Sequence, residues 1–265
     1  MQRINYCWRL VAKGLSFFVF GIGSLLLGLV IVPLITLLVR DRSKSLRWSR
    51  RLVGGGMGLF VWFMQVLGLL EFTVTGMDKA DADKGYLIVA NHPSLIDVAF
   101  LLSLFPMSEC AIKPGLQRNP FTRHLMHGVD YLSDRDPVEW MDACVQRLQQ
   151  GRSLILFPEG TRSEPDRPMD FKAGAAAIAL RSGVECLPVV ISMHPPSLMK
   201  SEPWYRVGER ASSYLIAVQD PIDPQRVIEG QTAGRQNSRV FNRYLHGYFC
   251  QQLERLNRSV DAPPI

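Results

Sequence analysis

His92 follows an apolar run, Tyr86–Ala90, and Asp97 lies five residues further on. A strand, a turn and the first turn of a helix over that stretch can bring the carboxylate back to the imidazole. There it bonds the Nδ1–H, sets the tautomer and leaves Nε2 as a base. This is two-thirds of a hydrolase triad, and no Gly-x-Ser-x-Gly elbow occurs in the chain to complete it. Ser94, two residues from His92, reads better as the N-cap of a helix over 95–105. The nucleophile can instead be supplied by a substrate hydroxyl that His92 deprotonates and that attacks a thioester carbonyl directly. A second segment, Phe157-Pro158-Glu159-Gly160-Thr161-Arg162-Ser163, displays a carboxylate, a hydroxyl and a guanidinium on one turn after a buried strand. A guanidinium fork matches phosphate oxygens, Thr161 adds a donor, and Gly160 lets the backbone approach closely. Lys113, at the end of another candidate strand, can add positive charge beside a phosphate or a developing oxyanion.

The elements that must position these residues alternate between strand and helix. Short apolar or alternating runs at 71–76, 86–90, 110–113, 129–132, 153–157, 186–192 and 214–218 read as strands. Helical patterns fall at 95–105, 120–127, 137–150, 171–182 and 235–258. The 137–150 helix has Pro at its first turn and Gly151 past its end, and Gly183 closes the next one. That alternation predicts an α/β layered sheet flanked by helices. Sites in such sheets gather beyond the C-terminal ends of strands, where both Asn91–Asp97 and Phe157–Arg162 fall.

Ahead of residue 71 the composition changes. Residues 14–39 and 52–70 carry no charge, and the first run is long enough to cross a bilayer, with Pro33 expected to kink it rather than end it. Residues 1–70 hold nine Lys or Arg against one acid, a net +8, whereas the remaining 195 residues hold 21 against 23, a net −2. Basic charge beside apolar runs suits anionic lipid headgroups, and its absence from the rest of the chain disfavours nucleic acid. Basic residues precede residue 14 and fill 40–51. They share the cytoplasmic face if the two runs dip into one leaflet, which is the expected arrangement; a single true span is the alternative. The expected division is a membrane-anchoring segment over 1–70 and an α/β domain over 71–265. Five scattered cysteines with no Cys-x-x-Cys pair suit reduced thiols facing the cytosol.

Together these segments resemble the lysophosphatidic-acid (1-acylglycerol-3-phosphate) acyltransferase family. Asn91-His92-Pro93-Ser94-Leu95-Ile96-Asp97 matches its Asn-His-x4-Asp block, and Phe157–Ser163 its Phe-Pro-Glu-Gly-Thr-Arg-Ser block. Phe171-Lys172-Ala173-Gly174 matches the Phe-Lys-x-Gly that follows. Lys113 through Arg135, with Asn119-Pro120-Phe121, resembles the second block, and Leu187-Pro188-Val189-Val190 the fourth. Gly128 to Arg135 is longer than the family spacing, and Glu185-Cys186 stands where Pro and an aliphatic residue are usual.

The resemblance implies an α/β domain on an N-terminal two-helix anchor, with His92 as base and Asp97 as its partner. It implies that Glu159, Gly160, Thr161 and Arg162 shape the acceptor-phosphate site. It also implies a lysophospholipid acceptor, acyl-CoA or acyl-carrier protein as donor, no cofactor and no metal, at the cytoplasmic face of a membrane. Two other readings of the residues stand beside it: a serine-type lipid hydrolase using Ser94 or Ser163, and a non-catalytic membrane scaffold.

Overall fold

The computed structural model describes residues 2–111, 125, 128–132, 136–164, 167–230 and 235–261. Lys113, Asn119-Pro120-Phe121, most of the helix expected over 120–127, Asp134-Arg135 and the tail beyond residue 261 lie outside the described residues. The chain forms two compact units. The first takes in Met1–Leu70, Ile96–Ala143 and Tyr205–Ala211; the second takes in Glu71–Leu95, Cys144–Trp204 and Ser212–Ile265.

In the first unit, α1 (Gln2–Leu26) continues through a π-helical turn, Leu27–Ile31, into α2 (Val32–Leu38). The wide turn sits directly before Pro33, whose missing N–H and bulky ring disturb the i→i−4 ladder, so the helix is relieved there without ending. Ile4–Leu38 is one helix long and apolar enough to cross a membrane, and it is the one such helix among the described residues.

The second apolar run behaves differently. It lies in α3 (Arg42–Val66), which starts at Asp41, whose carboxylate accepts from the backbone N–H of Ser43 and Lys44. One face of α3 (Ser45, Ser49, Val53, Met57, Phe60, Met64) is buried at helical spacing, while Trp48, Leu52, Leu59 and Trp62 are exposed. Phe60 packs on Phe20 at 4.7 Å and on Phe17 at 6.0 Å between ring centroids. The same helix packs along α4 (Asp97–Leu104). Its glycines allow this: a Cβ on Gly54 would stand 2.8 Å from the Leu102 carbonyl oxygen and 2.5 Å from Pro106 Cβ. The second run, expected to dip into one leaflet beside the first, thus has a face packed within the unit, where its glycines make a groove for α4.

The basic residues are corrected as well. Arg50 is buried, donating to Glu109 Oε1 at 2.8 Å and to the Val129 carbonyl at 3.1 Å. Arg9 donates to the carbonyls of Gly68 and Gly208, and Lys13 to that of Arg206. These three cations serve the fold. Arg40, Arg42, Lys44, Arg47 and Arg51 are the exposed ones around the start of α3. The unit also holds the short strand β3 (Glu109–Cys110); residues 129–132, expected extended, form a turn with Asp130 at φ 56°.

The second unit is built on strands β1 (Leu70–Thr75), β2 (Leu87–Ala90), β4 (Leu154–Leu156), β5 (Cys186–His194) and β6 (Ser212–Val218). Their order across the sheet is β1-β6-β5-β2-β4. β2 runs parallel to β4 and to β5, and β5 runs antiparallel to β6. Central strand β2 is buried at every residue, as a parallel strand covered on both faces must be. Helices α6 (Gly174–Ser182) and α8 (Arg235–Asp261) pack together, and α8 also packs on β5. The chain also forms helices α5 (Pro137–Gln149), which begins in the first unit and ends in the second, and α7 (Pro224–Val227). Gly183, at φ 68°, ends α6 in the left-handed conformation that a residue without a Cβ adopts freely.

Candidate active site

The parallel register pairs Val89 with Leu156, so β2 and β4 end side by side. The chain leaves β2 into Asn91-His92 and leaves β4 into Phe157-Pro158-Glu159. Two segments 65 residues apart are thus delivered to one end of the sheet.

Hydrogen bonds then hold His92 from several sides. The buried Asn91 side chain donates to the Ile191 carbonyl and accepts from the Ile191 N–H, both at 2.8 Å, which anchors the turn to β5. The His92 N–H donates to Glu159 Oε1 at 2.9 Å, and the His92 carbonyl accepts from the Ser163 N–H at 2.7 Å. Both backbone groups of the histidine are therefore held by the other segment. Its ring stacks on Phe157, with centroids 4.1 Å apart and planes 22° apart. A clamped backbone and a stacked ring restrict the imidazole to few orientations, as proton transfer demands.

Glu159 is buried and has a definite task here. The same Oε1 that accepts from His92 also accepts from Ser163 Oγ at 3.0 Å. Its carboxylate braces the two segments against each other. Gly160 has φ 64°, a left-handed conformation that favours glycine, while a Cβ there would meet only the flexible end of Lys172, at 3.0 Å. Thr161 is half-buried on the same turn. Arg162 donates through Nη1 to the carbonyls of Leu198 and Met199, at 2.9 and 3.0 Å. Only that nitrogen is used among the described residues, and the bonds orient the guanidinium.

Asp97 is the first residue of α4 and is fully buried; it belongs to the first unit. Lys113 and Arg135 lie outside the described residues. Ser94 does not cap α4, whose N-cap is Ile96 with no side-chain bond. Its hydroxyl is turned inward, bonded to the Ser197 carbonyl at 3.2 Å and to Tyr214 Oη at 2.9 Å. Ser94 is wholly buried and Ser163 donates to Glu159, so both serines of the hydrolase alternative are engaged in holding the loops. Sequence reasoning did not single out Tyr214, Leu198 or Met199. They lie outside the recognised blocks, and a tyrosine in a strand ordinarily signals packing alone.

Residues 71–192, which hold both segments, match the Acyltransferase family. The chain is similar over that stretch to 1-acyl-sn-glycerol-3-phosphate acyltransferases. It is 35% identical over 127 residues to the chloroplastic 1-acyl-sn-glycerol-3-phosphate acyltransferase LPAT1 of Arabidopsis thaliana, a match covering 46% of this chain and 36% of that protein. It is 37% identical over 131 residues to the 1-acyl-sn-glycerol-3-phosphate acyltransferase of Helicobacter pylori, covering 45% of this chain and 55% of that one. The matches thus span from about a third to about half of these relatives' length. The crystal structure of the 1-acyl-sn-glycerophosphate acyltransferase PlsC from Thermotoga maritima shares the fold, with a TM-score of 0.76, 20% identity and full coverage of both chains.

Proposed function

We propose that this protein is a membrane-bound O-acyltransferase of phospholipid biosynthesis. It transfers a fatty acyl group from an acyl thioester to the hydroxyl of a lysophospholipid, with 1-acylglycerol 3-phosphate as the acceptor. The observation that carries this reading is the clamp on His92, whose N–H and carbonyl are both held by the Glu159–Ser163 turn.

In the proposed reaction His92 takes the proton of the acceptor hydroxyl as its oxygen attacks the thioester carbonyl carbon. The tetrahedral intermediate expels the thiolate, which recovers the proton from the imidazolium. Asp97, five residues on, is the proposed partner that orients the imidazole and stabilises its charged form. Arg162, with Thr161 beside it, serves the acceptor phosphate, since a guanidinium held by two carbonyls at one nitrogen still presents further N–H donors. Lys113 adds a further cation, acyl-CoA or acyl-carrier protein is the donor, and no cofactor takes part.

The membrane reading rests on the first unit. Contacts run along α3 from Arg50 on Glu109 through Gly54 on Pro106 to Phe60 on Phe20. A helix held on one face by a compact unit is suited to lie against a leaflet. The exposed Trp48, Leu52, Leu59 and Trp62 then face lipid, with the nearby Arg and Lys residues at the headgroups of the cytoplasmic face.

The test is lipid mass spectrometry after incubating purified protein with a panel of lyso-acceptors and both donor types. New diacyl product, dependent on His92, is expected. Release of free fatty acid without transfer, or undiminished product from His92→Ala, would overturn the proposal.

A further inference from the structure

We infer that Tyr214 is a positioning residue for His92, acting through Ser94; the inference rests on the proposed role of His92 as the base. Ser94 has one hydroxyl hydrogen and gives it to the Ser197 carbonyl. With that hydrogen so used, the 2.9 Å bond between the two hydroxyls has Tyr214 donating to Ser94. The chain of donation runs from β6, through the residue two places after the histidine, into the segment that follows β5. The next N–H, that of Leu95, donates at 3.1 Å to the Leu198 carbonyl. That same carbonyl accepts from Arg162, and Lys200 pairs with Glu164 at 2.8 Å. Residues 197–200 thus join the histidine turn to the arginine turn, and Tyr214 supports the joint from beneath.

Tyr214 is 1% exposed and Ser94 fully buried, so no water can replace either partner from outside. A tyrosine placed only to fill the core would need no hydroxyl, and burying that hydroxyl is costly unless it is bonded. The Ser94 bond removes that cost and at the same time holds the turn that carries His92. Ser94 is thereby a link in the support, which explains a serine in this block without making it a nucleophile or a helix cap.

The experiment compares Tyr214→Phe, Ser94→Ala and the double variant in the full chain, reconstituted in vesicles. Phe keeps the ring and removes one oxygen. Turnover should fall about ten-fold in each single variant, because small displacements of a base weaken proton transfer steeply. The double variant should be no worse than either single one, since both break the same chain of bonds. KM for acceptor and donor should stay within about two-fold of the parent, and the melting profile should show matched amounts of folded protein. Independently of activity, the His92 ring resonances, assigned with His92→Ala, should move in Tyr214→Phe and remain unmoved in Tyr248→Phe. Unchanged turnover together with unmoved His92 resonances overturns the inference, as do additive losses. If the parent protein acylates nothing, the proposed function fails, and the resonance comparison still decides whether Tyr214 holds His92.

Discussion

Glu159 and Arg162 stand three residues apart on one turn, yet their polar atoms serve different partners. Glu159 braces the histidine backbone, so Glu159→Ala should act mainly on turnover, lowering kcat by roughly 10–100-fold with acceptor KM little changed. Arg162→Lys should do the reverse. An ammonium cannot bond two carbonyls at one nitrogen and present a fork to a phosphate, so acceptor KM should rise while donor KM stays put. Steady-state kinetics with each substrate varied in turn separate the two. A donor-only defect in Arg162→Lys would show that the substrates have been assigned to the wrong sides. If His92 is the base, as proposed, His92→Ala should cost ~10²–10⁴ in rate, with Asp97→Ala milder because the proposed role of Asp97 is to orient. Equal losses at matched protein levels would contradict that division of roles.

Helix α3 determines how the first unit coheres, and its glycines differ in what they tolerate. Gly54→Ala drives a methyl into the Leu102 carbonyl and Pro106, an overpacking that should cost about 1–3 kcal/mol. A Cβ on Gly58 makes only ordinary contact, 3.6 Å from Ser103. There the gain in helix propensity, up to ~1 kcal/mol, should leave Gly58→Ala neutral or stabilised. Thermal unfolding in one detergent compares the pair, and equal effects would mean that α3 does not pack as described. Arg50 gives a larger signal. Arg50→Met leaves the Glu109 carboxylate buried without its guanidinium and should cost about 3–5 kcal/mol, whereas Arg50→Met with Glu109→Leu should recover much of that loss.

For the molecule as a whole, thiol accessibility reports on both burial and topology. Burial pushes the Cys110 thiol up to about 12 and raises that of Cys186 as well, so neither forms a thiolate near neutral pH. Cys144 is buried too, Cys250 is half-buried with its thiol raised by the same cause, and Cys7 is exposed. A small uncharged maleimide should modify Cys7 first, Cys250 slowly, and the other three only after unfolding. In a cysteine-free background, single cysteines near the N-terminus, within 40–51 and at residue 230 should all be shielded from an impermeant reagent in intact cells and labelled after permeabilisation. Labelling of the N-terminal site alone would establish that Ile4–Leu38 crosses the bilayer. Labelling at residue 230 would put the catalytic domain outside and count against the proposed function.

Local rules were enough to read the strands and helices of the second unit, because each depends on neighbours in the chain. The apolar run at 86–90, Pro137 opening α5 and Gly183 closing α6 all signal their structure within a few residues. The two segments that meet at the strand ends could be picked out for the same reason, since each is contiguous. Only the tertiary structure gave the second apolar run its packing face. A glycine-rich run reads alike whether lipid or a helix lies against it, and Gly54 became informative once Leu102 and Pro106 stood beside it. Burial of Arg9, Lys13 and Arg50 was equally hidden, because their acceptors lie from 59 to 199 residues away. The bonds of Ser94 follow the same logic: its spacing suggested a cap, but partners 103 and 120 residues distant claim the hydroxyl. Spacing along the chain specifies which groups are close in sequence, and packing between distant segments specifies which of them meet.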